Sequence, residues 1–517
     1  MSSPAASRLL LGLVCLTLPA GAPAQEVAGT ARSSAGSTDP TRQAEVEAIP
    51  APRPDWRPVV RGRLGNGLRY AILPRRGSEP GVGLLMRNEG GFIAERRPGE
   101  RGLTHLIEHI LFHSPTRAAP DELDRFLRIG PPLTFPSPTV ATTSWRESNF
   151  FVSTRSTDSA DIDTLLGLFR EVAGELTFRP DAVDRERASV IREMAERRLG
   201  NDISAAFIAA VAPGSPTDVI DAQNSEDVPT AGIETIRALY HRLYRPENMM
   251  IVIVGDVDPR RMEALIRRRF EGWRGVGPRP ARLAIPTFRA DRIAPVSYST
   301  LREGRRIAMT TITMPAAPPP RTRRRQAESL LMDMLAVRGF INSMAAAQPG
   351  APPGKFGLFI ENGEYGHRLF FFWDHFAPGE WRRTTVRLRE TTCRLQSGGL
   401  SERDWIVARG DVIRDLEQRT RDMGRMPNVE LAKDLSHAVA DGREFIPPNE
   451  LLRYAVRWFP TIGTRAANNW WRRQWQAGVE HIRVEAPELA QARDPRTDIR
   501  AAVDDAVRNA GCRLRRS

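Results

Sequence analysis

Residues 101–113 read Arg101-Gly102-Leu103-Thr104-His105-Leu106-Ile107-Glu108-His109-Ile110-Leu111-Phe112-His113. Read as a helix, the stretch places His105 and His109, four apart, on one face a single turn from each other. That spacing lets two ring nitrogens grip one Zn²⁺. Glu108 falls near the same face, where a carboxylate could hold and deprotonate a water beside the metal. The order His-x-x-Glu-His is the inverse of the usual zinc-peptidase motif. The bland alternative is a buried amphipathic helix whose histidines are core or rim residues. His113, a further turn along, is either a fourth imidazole near the metal or, more simply, a rim residue.

Two histidines do not complete a zinc site; a third protein ligand and an open position are required. A helix expected after Pro180-Asp181, running to about Arg198, offers Glu186 and Glu193. They are two turns apart and share a face. Glu193 could complete a His₂Glu set, and Glu186 could orient a ligand from behind. With Arg185, Arg187, Arg192 and Glu196 around them, the pair taken alone also reads as a solvated charged face.

The chain of 517 residues is too long for one core and suits two or three units. Its net charge of +13 is nearly all arginine, the only lysines being Lys355 and Lys433. The arginines are spread out, which argues for a codon bias and against a nucleic-acid footprint. At the N-terminus, Arg8, the apolar run Leu9–Leu18 and Ala22-Pro23-Ala24 form an export signal over residues 1–24. The run is too short for a membrane span, and no other stretch reads as long and apolar enough for one. An exported chain, periplasmic if bacterial, is the expectation. Residues 25–57 read as a disordered leader. Cys393 and Cys512 remain after cleavage and either pair or stay free.

Further along, strands are expected at Arg69–Leu73, Val82–Met86, Thr139–Thr143, Asn149–Ser153 and Met250–Val254. Helices are expected at Asp121–Arg128, Ser159–Leu176, Ile233–Tyr244 and Arg260–Phe270. Gly275–Pro280 is a linker, dividing a unit at 58–275 from one at 283–517. The second part repeats the order, with strands at Ile307–Met314, Phe356–Glu361 and Leu369–His375 and helices at Arg323–Met344, Trp381–Leu395 and onward from Ser401. One fragment recurs almost literally, Val190-Ile191-Arg192-Glu193-Met194 and Val412-Ile413-Arg414-Asp415-Leu416, which points to internal duplication. The helix Arg323–Met344, in the motif's place, has no histidine, so only the first half can hold the metal.

With these residues assembled, the chain resembles the M16 (insulinase/pitrilysin) metallopeptidases over Arg63–Trp273. The resemblance is carried by Leu64-Gly65-Asn66-Gly67-Leu68-Arg69, by Gly91 and Glu95, and by Gly102, His105, Glu108, His109 and Phe112. Glu186, Glu193 and Tyr244-Arg245-Pro246-Glu247-Asn248-Met249 add to it. It implies an α+β fold: two homologous, mitochondrial-processing-peptidase-like units forming one half of a clamshell. It also implies Zn²⁺ on His105, His109 and Glu193, with Glu108 as general base, Glu186 in support, and an unfolded peptide added as a strand to a sheet edge.

Three departures qualify the resemblance. The interval from His109 to Glu193 is long, so an insertion near Gly130–Pro138 is expected. The family's Asn-Ala-x-Thr edge motif is degraded to Val140-Ala141-Thr142-Thr143. Active members also use an Arg and a Tyr seven apart, from the opposing half, to hold the substrate carbonyl. Here only Arg237/Tyr244 and Arg63/Tyr70 have that spacing, both in the first unit; Tyr298, Tyr365 and Tyr454 lack it. The leading expectation is a zinc endopeptidase half acting with a related subunit or a second copy of itself. The alternative is a non-catalytic peptide-binding or assembly subunit.

Overall fold

Five strand-forming runs are used twice in the same pattern. The computed structural model describes residues 58–76, 80–130, 140–220, 225–281, 283–301, 305–362 and 366–511. The first sheet contains β1 (Val60–Arg63), β2 (Arg69–Pro74), β3 (Val82–Asn88), β4 (Ala141–Thr143), β5 (Ser148–Thr154) and β6 (Met249–Gly255), in the order β1-β2-β6-β3-β5-β4. The second contains β7 (Val296–Ser299), β8 (Ile307–Pro315), β9 (Phe356–Asn362), β10 (His367–His375) and β11 (Val479–Glu485), in the order β7-β11-β8-β10-β9. Once the extra edge strand β1 is set aside, order and direction match. Each sheet has one parallel pair, β2 with β6 and β7 with β11, and is otherwise antiparallel. The duplication read from one repeated fragment is therefore a duplication of topology.

The first unit carries α1 (Leu103–His113), α2 (Glu122–Ile129), α3 (Ser159–Gly174), α4 (Pro180–Val211), α5 (Pro216–Val219), α6 (Ile233–Leu243) and α7 (Pro259–Phe270). The second carries α8 (Arg323–Ala347), α9 (Trp381–Ser397), α10 (Glu402–Asp422), α11 (Asn428–Ala440), α12 (Pro448–Trp458), α13 (Thr464–Ala477) and α14 (Pro495–Ala510). The architecture is α+β, as expected. Strands β3 and β6 are buried along their whole length, which requires cover on both faces of the sheet. One face packs on the unit's own helices through residues such as Leu106, Ile110, Phe150 and Phe169.

The other face is covered by the opposite unit. Met423, Val429, Leu431 and Leu435, in and just before α11, pack on Ala71, Leu85 and Val252. In return Phe207 and Val211 of α4 pack on Ile307, Met309 and Leu369, with the Phe207 and Phe371 rings 5.2 Å apart. This exchange corrects one expectation. α4 does not stop near Arg198 but continues through Gly200 to Val211, because its last turns bury apolar side chains on the second sheet. In the second unit the matching run is broken between Asp422 and Asn428, where Pro427 caps α11.

One further reading is corrected and one open alternative is resolved. By length and composition α8 could cross a membrane, although no stretch beyond the N-terminus was expected to. Here Leu331, Leu335, Phe340 and Met344 of α8 are buried in the second core. Cys393, left open as free or paired, is buried in α9 and disulfide-bonded. Cys512, Tyr365, the export signal, the leader and residues 131–138 of the expected insertion lie outside the described residues.

The seam between the units is also polar. Arg75 donates to the carbonyls of Met426 (2.6 Å) and Gly424 (2.9 Å). Glu89 accepts from Arg69 (2.8 Å) and Arg87 (3.0 Å) and lies 3.3 Å from Arg146. Burial raises the Glu89 pKa, but the three guanidinium groups outweigh burial and hold it at about 2. The carboxyl is thus more acidic folded than unfolded. Its contribution to stability is complete above its ordinary value of 4.5 and is lost as pH falls towards about 2. Glu89→Gln is expected to lower the melting midpoint at pH 7 and to flatten its fall between those two pH values. Melting curves at stepped pH check this; parallel profiles for variant and parent would contradict it.

Candidate metal centre

The motif helix α1 is fixed at both ends by side chains from elsewhere. Gly102 caps its N-terminus in a left-handed conformation (φ 84°) and offers no side-chain acceptor. Glu95 takes that role, accepting from the backbone N–H of Gly102 (2.9 Å) and Thr104 (2.8 Å) and from the Thr104 hydroxyl (2.5 Å). At the other end Arg125 of α2, wholly buried, donates to the carbonyls of Phe112 and Ser114 and pairs with Glu171 at 3.1 Å. A carboxylate at the positive end and a guanidinium at the negative end both favour the helix dipole. Leu103, Leu106, Ile107, Ile110 and Leu111 are buried, so the opposite face, with His105, Glu108 and His109, turns outward.

α4 lies against that face. His105 Nε2 is 3.6 Å from Glu193 Oε1, and His109 Nε2 is 3.5 Å from Glu193 Oε2. Ligand atoms of His105, His109 and Glu193 all fall within 4.8 Å of one another. Behind them, Glu186 Oε2 stands 3.7 Å from His109 Nδ1. Of the sequence-derived site residues, the structure therefore brings His105, His109, Glu193 and Glu186 together, with Glu108 on the adjoining turn. His113 does not join them; it pairs with Glu122 at 2.9 Å on the rim.

The electrostatics fit a cation. Three carboxylates, Glu108, Glu186 and Glu193, converge on two imidazoles, with Arg197 2.5 Å from Glu193 and Arg185 3.6 Å from Glu186. Burial pushes His105 down to about 4, reinforced by the neighbouring imidazole. His109 is buried too, yet the Glu186 and Glu193 carboxylates facing its two ring nitrogens outweigh burial and raise it to about 9. His109, facing Glu193 at 3.5 Å, in turn holds that carboxyl at about 2, against its own burial. The carboxylates facing His109 thus favour a positive charge at this place. Burial lifts Glu108 to about 7, opposed by a hydrogen bond from the Thr143 hydroxyl.

Several residues at the site gave no sequence signal of this role. Thr143 Oγ1 bonds both Glu108 and Ser148 Oγ (3.0 Å). Tyr244 is buried close to Glu108 and stacks on Tyr240 at 4.9 Å; burial first, then the Glu108 charge, keep its phenol protonated. Neither Arg/Tyr pair of the first unit is free for substrate. Tyr244 is buried, and the Tyr70 hydroxyl donates to Glu263 at 2.6 Å.

Among the described residues the second unit has no matching cluster of metal-ligating side chains. Asp415 follows Val412 as Glu193 follows Val190. Facing it from α8 are Arg338 and Asn342, four apart like His105 and His109. Arg338 Nε donates to Asp415 (2.8 Å) and Asn342 to Asp411 (2.7 Å). A guanidinium there supplies the positive charge without an ion.

Two family models match the chain: "Insulinase (Peptidase family M16)" over residues 91–202 and "Peptidase M16 inactive domain" over residues 231–340. Among curated proteins the chain is similar to the probable zinc protease PqqL of Escherichia coli, 28% identical over 225 residues. That match covers 42% of this chain and 24% of the relative. It is also similar to the zinc protease PqqE of Helicobacter pylori, 25% identical over 43% of this chain and 48% of the relative. The chain therefore aligns with less than half the length of these relatives. Among solved structures, the first half of the E. coli periplasmic protease PqqL matches with a TM-score of 0.74 at 18% identity, over 89% of this chain and 98% of that one. Against the whole PqqL structure the chain covers 51% of its length. At such identity these structures show the fold, that of one half of a two-half molecule.

Proposed function

The chain belongs to the M16 (insulinase) peptidase family, and from that premise we propose that it is the zinc-bearing half of an exported endopeptidase acting on unfolded peptides. The observation that carries this reading is the convergence of His105, His109 and Glu193 within 4.8 Å, beside Glu108. His105 and His109 would hold Zn²⁺ through Nε2 and Glu193 through its carboxylate. Glu186 would accept from His109 Nδ1, fixing the tautomer that leaves Nε2 free. When bound, the ion supplies a Lewis acid that polarises the scissile carbonyl and makes water acidic at neutral pH. Glu108 takes the proton of the attacking water and delivers it to the leaving amine. Thr143 orients Glu108, and the short edge strand β4 receives the peptide as an added strand. We place the metal-bearing unit at 58–275 and its metal-free homologue at 283–517, with export directed by residues 1–24.

Among the described residues no Arg and Tyr seven apart face the site from the second unit. A partner half, either a related M16 subunit or a second copy of this chain, would supply them. The same observation favours the alternative of a non-catalytic peptide-binding or assembly subunit. Cleavage of an unfolded peptide by the purified chain, alone and with a co-expressed half carrying Arg-x₆-Tyr, separates the readings. The peptidase reading expects about one zinc per chain and cleavage that appears or rises sharply with the added half. Zinc without cleavage in every combination would support the non-catalytic reading.

A further inference from the structure

We propose that Arg146 is a positioning residue through which the second unit holds the substrate edge strand β4 against Glu108. The inference deepens the peptidase reading and rests on it for its kinetic test. β4 has three residues and stands at the edge of its sheet, paired on one side by β5. So short a strand has little pairing of its own to fix it. What fixes it is the turn 144–147. Gly91 N–H donates to the Arg146 carbonyl (3.0 Å), Phe92 N–H to Ser144 (3.1 Å) and Ile93 N–H to Trp145 (2.8 Å). The approach is close enough that a Cβ on Gly91 would meet the Ser144 oxygen at 2.1 Å.

The Arg146 side chain reaches out of this turn into the other unit. It donates to Asp441 Oδ1 at 2.7 Å and to the Ala440 carbonyl at 3.1 Å, and lies 3.3 Å from Glu89. Ala440 and Asp441 end α11, whose carbonyl terminus favours a cation. The pair is only 23% and 17% exposed, so its charge-assisted bonds are screened less than those of a surface bridge. α11 is in turn seated on the first sheet through Val429, Leu431 and Leu435. A continuous set of contacts therefore runs from α11 through Asp441 and Arg146 to the turn, then to Thr143, and from its hydroxyl to Glu108. Among the described residues the second unit has no metal-ligating cluster of its own, yet this geometry gives it a part in the chemistry: it holds the base and the peptide-binding edge in register.

The test uses the full chain with its partner half, in Arg146→Met, Asp441→Asn and the double variant, with Arg146→Lys as conservative control. We expect kcat to fall by about tenfold or more in each single variant, the scale of a small misplacement of catalytic groups. Zinc content should stay at the parental level. The double variant should be no worse than Arg146→Met alone, because Asp441 reaches the turn through Arg146, and Arg146→Lys should recover part of the rate. Amide hydrogen exchange over residues 141–148 should quicken in the single variants. That measurement needs no activity, so it decides the positioning role even if the peptidase reading fails. Unchanged kcat with unchanged exchange over 141–148, or additive losses in the double variant, would overturn the proposal. If Arg146→Met does not fold, Asp441→Asn carries the same test, since it keeps side-chain size and removes only charge.

Discussion

Glu108→Gln is expected to abolish peptide cleavage while leaving zinc bound. The residue sits on α1 between the two histidines yet offers no atom to the donor cluster formed by His105, His109 and Glu193, so its amide counterpart leaves the ion's ligands in place. What disappears is the group that accepts a proton. General-base removal of this kind costs on the order of 10²- to 10⁴-fold in rate. The exchange should not weaken the fold. The carboxyl is buried enough to be raised to about 7, and glutamine has the same shape without a charge to desolvate. The Thr143 hydroxyl can still donate to the amide oxygen. Single-turnover cleavage beside zinc analysis and a melting curve checks all three points. Parental cleavage by the variant would sink the assigned mechanism.

His109→Ala should have the opposite signature, with zinc lost first and activity lost in consequence. His109 is the hinge of the cluster, facing Glu193 from Nε2 at 3.5 Å and Glu186 from Nδ1 at 3.7 Å. Its removal deletes a ligand and leaves two carboxylates without their shared imidazole. Two protein ligands do not make a stable zinc site, so zinc should fall towards zero after dialysis. Glu186→Gln gives the graded comparison. It would act on the ion only through His109, 3.7 Å away, and loss of such a supporting contact costs about 10- to 100-fold in affinity. Competition with a chromophoric chelator measures both. Equal affinities for His109→Ala and the parent would remove His109 from the ligand set.

The sequence made the His105, His109, Glu186 and Glu193 cluster legible because its chemistry is local and periodic. His105 and His109 are a turn apart, Glu186 and Glu193 two turns apart, and each pair lies on one helix. The repeated Val190 and Val412 fragments likewise announced the duplication. Features that depend on distant chain were not legible. Nothing near Arg125 marks it as the residue that closes the end of α1, since a buried arginine and an exposed one read alike in sequence. The length of α4 was underestimated because Gly200 and Asn201 resemble a stop, whereas Phe207 and Val211 have their reason in the second sheet. The helices after α10 and the last strand β11 were not anticipated. The contacts of Thr143 and Tyr244 with Glu108 join segments that only the fold brings together, and the Arg146–Asp441 bond spans 295 residues.

The most direct test of the central claim, a His₂Glu zinc site in the first unit, is X-ray absorption at the zinc edge on the purified chain. The account predicts about one zinc per chain, with a first shell of nitrogen and oxygen near 2.0–2.1 Å, two imidazole signatures and no sulfur. Substoichiometric zinc after loading, or a shell containing sulfur or lacking paired imidazoles, would contradict it.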